Sequence, residues 1–431
     1  MHLRITQILK DAKKSTFTKN AVLYTFFSAV QKCIPFLLLI LLAHFFSREE
    51  IGYLTLYQTI YLIALPIFTL NGETSTSINY YKLPRDEFKK YLTNVIFYTF
   101  IYFVSTCLVI IPFLNFLSRS LKFPRVWLIV IILSTFPRLI INSCLCLWRN
   151  QDKIKKYGII SIVSALLNNG IAIVLIFCFH FSWQSMAIGV LIGDTMMSLL
   201  CVYLIKDYFS FGFCWKYIVD SIKMSVPIAL HVIGGWLSNS YSRIIITSLI
   251  SIEATGSFGI GGTFAMILNL VIDSTNLAFG PFLYKKLSCF NEENELSIVK
   301  VSMAYYAVIL LFTIIISLVG YYSLVPIFGV KYVSAKNLII PLVVASSING
   351  FYKVHVNYLF FSKKTYLITM VTLSLGLINV GLSYLLVSSF GIIGAAYSAI
   401  AIALLSYLII LLLSDREYHI HWKICIHKLL V

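Results

Sequence analysis

Charge is scarce in this sequence, and negative charge is the scarcest. Only 12% of its 431 residues are charged, and 17 acids face 34 basic residues, for a formal net charge of +17. Soluble domains carry about 25% charged residues, so this composition excludes an ordinary water-facing globule. Whole classes of chemistry are missing too. There is no GxxxxGK[ST] loop to cradle a nucleotide phosphate, which excludes a built-in ATP motor. HExxH and DxD are absent, and the nine cysteines stand singly or inside apolar runs (Cys33, Cys107, Cys144, Cys146, Cys178, Cys201) without a CxxC. Neither zinc nor disulfides are expected. The longest outer connection, near residues 321–336, is too short for a catalytic domain. An enzyme is therefore not expected, nor a cofactor or metal.

Apolar residues fill the space that charge leaves, at 59% of the chain and a mean hydropathy of +0.88. Membrane-length runs lie near 20–46, 52–81, 91–117, 126–147, 158–180, 186–205, 225–250, 256–283, 298–320, 337–360, 366–388 and 391–413. At about 1.5 Å per residue each can cross a hydrocarbon core of about 30 Å. Twelve spans predict an all-α polytopic membrane protein with both termini on one side. The basic residues choose the side. With the N-terminus inside, the inner segments hold 24 Lys and Arg and the outer ones six, three of which (Arg119, Lys122, Arg125) crowd one outer loop. This positive-inside bias puts both termini in the cytoplasm and accounts for the net charge without nucleic acid. The first twenty residues are polar and basic and a full-length run follows them, so the first span is expected to serve as the insertion signal rather than a cleaved peptide.

The chain also repeats itself. SREEIG (residues 47–52) matches SIEATG (251–256) at a shift of 204, Lys82 answers to Lys286, KKYGII recurs as KKTYLI, and NGIAIVL as NVGLSYL. The predicted order is a basic lead (1–19), a lobe of six helices (20–205), an aromatic and basic linker read as an interfacial helix on the inner leaflet (206–224), a second lobe of six (225–413) and a cytoplasmic tail (414–431).

Charged residues inside spans carry the functional signal, because each costs about 3 kcal/mol at the bilayer centre unless paired, hydrated or used. They are Lys32, Glu73, Arg138, Asp194, Arg243, Asp273 and Lys353. His44, His231 and His355 are weaker candidates, expected to form interhelical hydrogen bonds. Four cations against three acids leave a positive surplus. Lys32, Arg138, Arg243 and Lys353 are predicted to line an anion-receptive cavity, the competing reading being structural ion pairs. Glu73 and Asp273 fall within about a turn of each other after the 204-residue shift and are predicted as coupling or gating acids. Asp194 ranks behind them, since with Gly189 and Gly193 it reads equally as a helix contact with a paired acid.

Several stretches together are specific to a family: EEIGYLTLYQTIY after span one, LNGETSTSINYYK ending span two, SYSRIIITSLISIEATGSFGIGG in spans seven and eight, GVKYVSAKNLIIPL before span ten, and INVGLSYLLVSSFGIIGAAYSA joining spans eleven and twelve. On these the chain resembles the bacterial polysaccharide flippases, the O-antigen and capsule branch of the multidrug/oligosaccharidyl-lipid/polysaccharide exporter superfamily. The resemblance implies two six-helix lobes forming a V around a central cavity, in the inner membrane. It implies an undecaprenyl-pyrophosphate-linked oligosaccharide as substrate, flipped to the periplasmic leaflet by alternating access driven by an ion gradient or membrane potential. A polysaccharide polymerase and a chain-length regulator are the partners it suggests. Arg243 matches a family position directly, although Ser242-Arg243 stands where the family usually has Asp-Arg. The rival readings are a drug or cation exporter of the same fold, which would want an acidic cavity, and a membrane-embedded polysaccharide polymerase, which would want a large outer loop.

Overall fold

A computed structural model of the chain describes residues 16–210, 212–289, 291–422 and 424–425. Most of the expected basic lead (1–15) and the last six residues of the expected tail (426–431) lie outside the described residues. Helix α1 spans Thr16–Phe45, α2 Arg48–Thr69, α3 Glu73–Asn79, α4 Arg85–Ile110, α5 Leu114–Leu121, α6 Arg125–Asn150, α7 Ile154–Phe179 and α8 Gln184–Leu204. After the linker come α9 Trp215–Asn239, α10 Ser242–Leu249, α11 Ile252–Leu287, α12 Glu292–Phe328, α13 Lys336–Phe361, α14 Thr365–Phe390 and α15 Ile392–Glu417. Among the described residues twelve helical stretches are long and apolar enough to cross a membrane, and there is no strand. Hydrocarbon offers the backbone no hydrogen bonds, so an all-helical chain is what this composition requires.

The repeated hairpins start in the same way. Ser47 and Glu50 cap α2 reciprocally: Glu50 N–H donates to Ser47 Oγ (3.2 Å) and Ser47 N–H to Glu50 Oε2 (2.6 Å). At the corresponding place Ser251 Oγ accepts from Ala254 N–H (3.1 Å) and caps α11.

The described chain divides into two compact units. One combines residues up to Leu41 with Ile60–Ala229, the other Leu42–Thr59 with Leu230 onward. In the first unit α8 packs on α6 and α7. A Cβ on Gly189 would lie 2.5 Å from the Asn168 carbonyl oxygen, so these helices touch through backbone, as a small-residue face permits. Phe88, Leu92, Ile141, Leu147, Trp148 and Met197 form its apolar core. Residues 215–224 depart from the expected interfacial helix, being the first turns of α9. The reason is a polar face that the aromatic and basic composition hides: Asp220 Oδ2 accepts from Asn79 Nδ2 (2.9 Å) and Tyr91 OH (3.1 Å), and Ser221 Oγ bonds Ser75 Oγ (2.7 Å) and Tyr98 OH (3.0 Å).

In the second unit α11 packs on α13, and α13 on α15. The unit also holds the start of α2, which crosses the start of α11 at two glycines. A Cβ on Gly52 would lie 2.1 Å from Ile252 O, and one on Gly256 2.6 Å from Arg48 O. The contact is reciprocal under the 204-residue shift, which carries Arg48 to Ile252 and Gly52 to Gly256. His355 is a satisfied core histidine here, bonded to Tyr306 OH (2.8 Å) and Ser414 Oγ (3.2 Å).

Gly256→Val is expected to force α2 from α11 and cost about 1–3 kcal/mol, as overpacking does. Thermal unfolding in detergent should show a clear drop, with no drop for Gly262→Ala, where a Cβ meets open space.

Candidate functional site

The charged residues of the spans do not share one environment. In the first unit α6 carries Arg138 after Pro137, and its Nη1 lies 3.6 Å from Asp194 Oδ1 on α8. Asp194 is 1% exposed and Arg138 23%. The carboxylate also accepts from Asn168 Nδ2 on α7 (2.8 Å) and from Tyr61 OH on α2 (3.5 Å). Four helices thus converge on one buried acid. Such a pair is costly to break because the survivor is left as an uncompensated charge, at about 3–5 kcal/mol. Lys32 stands exposed on α1.

The second unit holds a matching pair, Lys353 on α13 and Asp273 on α11, in direct ion-pair contact and more open, at 31% and 44% exposure. Beside it Asn357 Nδ2 donates to Asn276 Oδ1 (2.8 Å) and Tyr284 OH to Asn357 Oδ1 (3.2 Å). Asp194 and Asp273, read from the sequence as coupling candidates, therefore each sit against a cation that the sequence assigned to the cavity.

Two charged residues differ from these, and each follows a helix break. The run expected as one span at 52–81 breaks at Leu70–Gly72, where Leu70 and Asn71 adopt φ of 49° and 50°. That conformation is unfavourable for a leucine. Gly72 then fits tightly, since a Cβ would lie 2.9 Å from Thr99 Oγ1. Glu73 is the first residue of α3, and its Oε2 is buried without a hydrogen-bond partner. The run expected at 225–250 breaks at Ser240–Tyr241, between α9 and α10. Arg243 is the second residue of α10. Its guanidinium lies 6.0 Å from the Phe258 ring centroid, its Nε is buried without a partner, and among the described residues it makes no ion pair. Ser242 bonds sideways instead, its Oγ 2.9 Å from Ser383 Oγ, so it supplies no acid to the neighbouring cation.

Some polar residues were not singled out in the sequence. Tyr61 and Asp220 are two; Glu295, 8% exposed and accepting from His421 N–H (2.6 Å), is a third. Glu295 belongs to the run NEENEL, where four polar neighbours mask the one that turns inward.

A family model described as "Polysaccharide biosynthesis protein" matches residues 17–286. The chain belongs to that family. This polysaccharide-biosynthesis chain is 22% identical over 357 residues to an uncharacterised membrane protein of Haemophilus influenzae, covering 80% of the chain and 84% of the relative. Among solved structures it is similar to an inward-facing multidrug resistance MATE family transporter of the MOP superfamily (TM-score 0.68, 14% identity, 92% of this chain and 98% of that one). It is similar also to a MOP superfamily transporter from Pyrococcus furiosus Vc1 described as having a binding pocket of reverse polarity (TM-score 0.61, 14% identity, 92% and 95%). The fold is that of a twelve-helix MOP transporter, and the protein is a multi-pass membrane protein.

Asp194→Asn should leave Arg138 unpaired and reduce folded protein in the membrane several-fold. Arg138→Gln combined with Asp194→Asn should restore most of it, read as monodisperse protein after detergent extraction. Additive losses in the double variant would contradict the ion pair.

Proposed function

We propose that the chain flips an undecaprenyl-pyrophosphate-linked oligosaccharide repeat unit from the cytoplasmic to the periplasmic leaflet by alternating access. Family membership and the MOP transporter fold support a flippase for polysaccharide biosynthesis. The observation that carries the substrate is Arg243. A guanidinium with a buried, unpartnered Nε and no carboxylate beside it is suited to a ligand that brings its own negative charge. Pyrophosphate matches its planar donor fork. A cationic drug would be repelled at the same position. Arg138 and Lys353, each already joined to an acid, offer less to an anion, so Arg243 is the principal contact. Lys32 remains a secondary one.

Charge-assisted contacts are worth about 1.5–3 kcal/mol, so Arg243→Ala should lower surface polysaccharide about tenfold or more at unchanged membrane abundance. Arg243→Lys should recover only part, since bidentate geometry is lost. Wild-type polysaccharide in Arg243→Ala would refute the assignment.

The positive-inside bias supports cytoplasmic termini in an inner membrane. In intact cells an impermeant maleimide should label a cysteine introduced at Glu253 and fail to label one at Lys153, in a background without accessible native thiols. Labelling at Lys153 would invert the topology.

A further inference from the structure

The first unit contains a second polar site, one turn along α6 from Arg138. A cavity of about 350 Å³ is lined by Glu73 and Ser77 on α3, Asn142, Cys146 and Arg149 on α6, and Tyr157 on α7. Glu73 and Ser77 are four residues apart, as are Asn142 and Cys146, with Arg149 three further on, so each helix turns one continuous face to the same space. The backbone around it is fixed: Cys146 Sγ donates to the Glu73 carbonyl (3.5 Å), and Ser77 Oγ to Asn150 Oδ1 (3.1 Å). Glu73 Oε2 is nevertheless buried without a hydrogen-bond partner, while Asn142 hydrogen-bonds the carboxyl and the charges of Arg138 and Arg149 act on it. An acceptor left so costs about 1–3 kcal/mol or more unless something donates to it.

The lining selects against ions. Glu73 would repel an anion, and Arg149 at the rim would repel a metal cation. An acceptor-only carboxylate, a donor-only guanidinium, an amide that does both and the hydroxyls of Thr74, Ser77 and Tyr157 instead suit a neutral ligand whose groups both donate and accept. The volume lies at the lower end of the range of small-molecule sites, about 300–1,000 Å³. Tyr157 adds a ring face beside the polar groups.

We propose that this cavity is a glycan subsite, binding a neutral sugar of the lipid-linked oligosaccharide through its hydroxyls. The subsite rests on the flippase reading for its ligand class, and it gives Glu73 a role in recognition rather than in ion coupling. With cytoplasmic termini, the last turns of α6 and the start of α7 lie at the cytoplasmic end, where the sugar is presented.

Cys146 reports on the site without any introduced label. The full native chain in detergent is alkylated with a small maleimide, and modification of Cys146 is followed by peptide mass spectrometry against exposed Cys33. The probes are a panel of free hexoses, N-acetylhexosamines and their disaccharides, compared with inorganic pyrophosphate and with sodium chloride. At least one sugar should slow alkylation of Cys146 threefold or more while Cys33 is unaffected. Asn142→Ala and Arg149→Gln should abolish that protection, and Glu73→Gln, which keeps an acceptor, should retain part of it. Failure of every sugar to protect Cys146 overturns the subsite, as does equal protection by pyrophosphate or by sodium chloride. The two readings fail separately. Sugar protection together with wild-type surface polysaccharide in Arg243→Ala removes the pyrophosphate assignment and leaves the sugar site; loss of polysaccharide in Arg243→Ala without sugar protection does the reverse.

Discussion

An unpaired charge in hydrocarbon is the cost around which this structure is arranged. It sorts the few ionisable residues of the spans by how each is relieved. Arg138 and Lys353 are relieved by Asp194 and Asp273, one cation–acid pair in each unit. The pairs differ in kind. Asp194 is sealed by an amide and a tyrosine hydroxyl from two further helices, which makes it a fastening, whereas the Lys353–Asp273 pair is partly open and flanked by asparagines. A fastening tolerates replacement of both partners together; an open pair can exchange partners, and that is the property a transport step requires.

The sequence repeat is strongest where the backbone is constrained and weakest where chemistry is done. Gly52 and Gly256 correspond across 204 residues because each removes the Cβ that the other's helix start would strike. The capping serines, Ser47 and Ser251, correspond for a similar reason. The charges do not. Shifted by 204, Glu73 falls on Leu277 and Asp273 on Thr69, and Arg243 shifted back falls on Leu39. Duplication supplied a frame whose packing had to stay matched, while the polar groups of each half were free to diverge.

Hydropathy made the twelve spans legible, since it follows from composition over some twenty residues at a time. What could not be read was pairing. Arg138 and Asp194 lie 56 residues apart and Lys353 and Asp273 80 apart, and no local pattern says which cation meets which acid. The linker misled because Trp215, Lys216 and Tyr217 suit a membrane surface, whereas the buried residues Ser221 and Ser225 and the bonded Asp220 decide that the segment continues into α9. The breaks were hidden for another reason. Nothing in Leu70-Asn71 demands a left-handed backbone, and only the tertiary contacts that receive Gly72 impose it.

Those breaks join the fold to the function. Non-helical backbone at membrane depth is tolerated where protein or water covers it, and residues held in left-handed conformations cost about 1–3 kcal/mol each unless the surroundings fix them. Each unit carries a break within a span, left-handed at Leu70 and Asn71 in the first and an ordinary turn at Ser240–Tyr241 in the second, and directly after each stands a charged residue with an unsatisfied polar atom, Glu73 and Arg243. The two atoms ask for different chemistry: the open carboxylate oxygen is answered by a group that donates, and the open guanidinium nitrogen by one that accepts and carries negative charge.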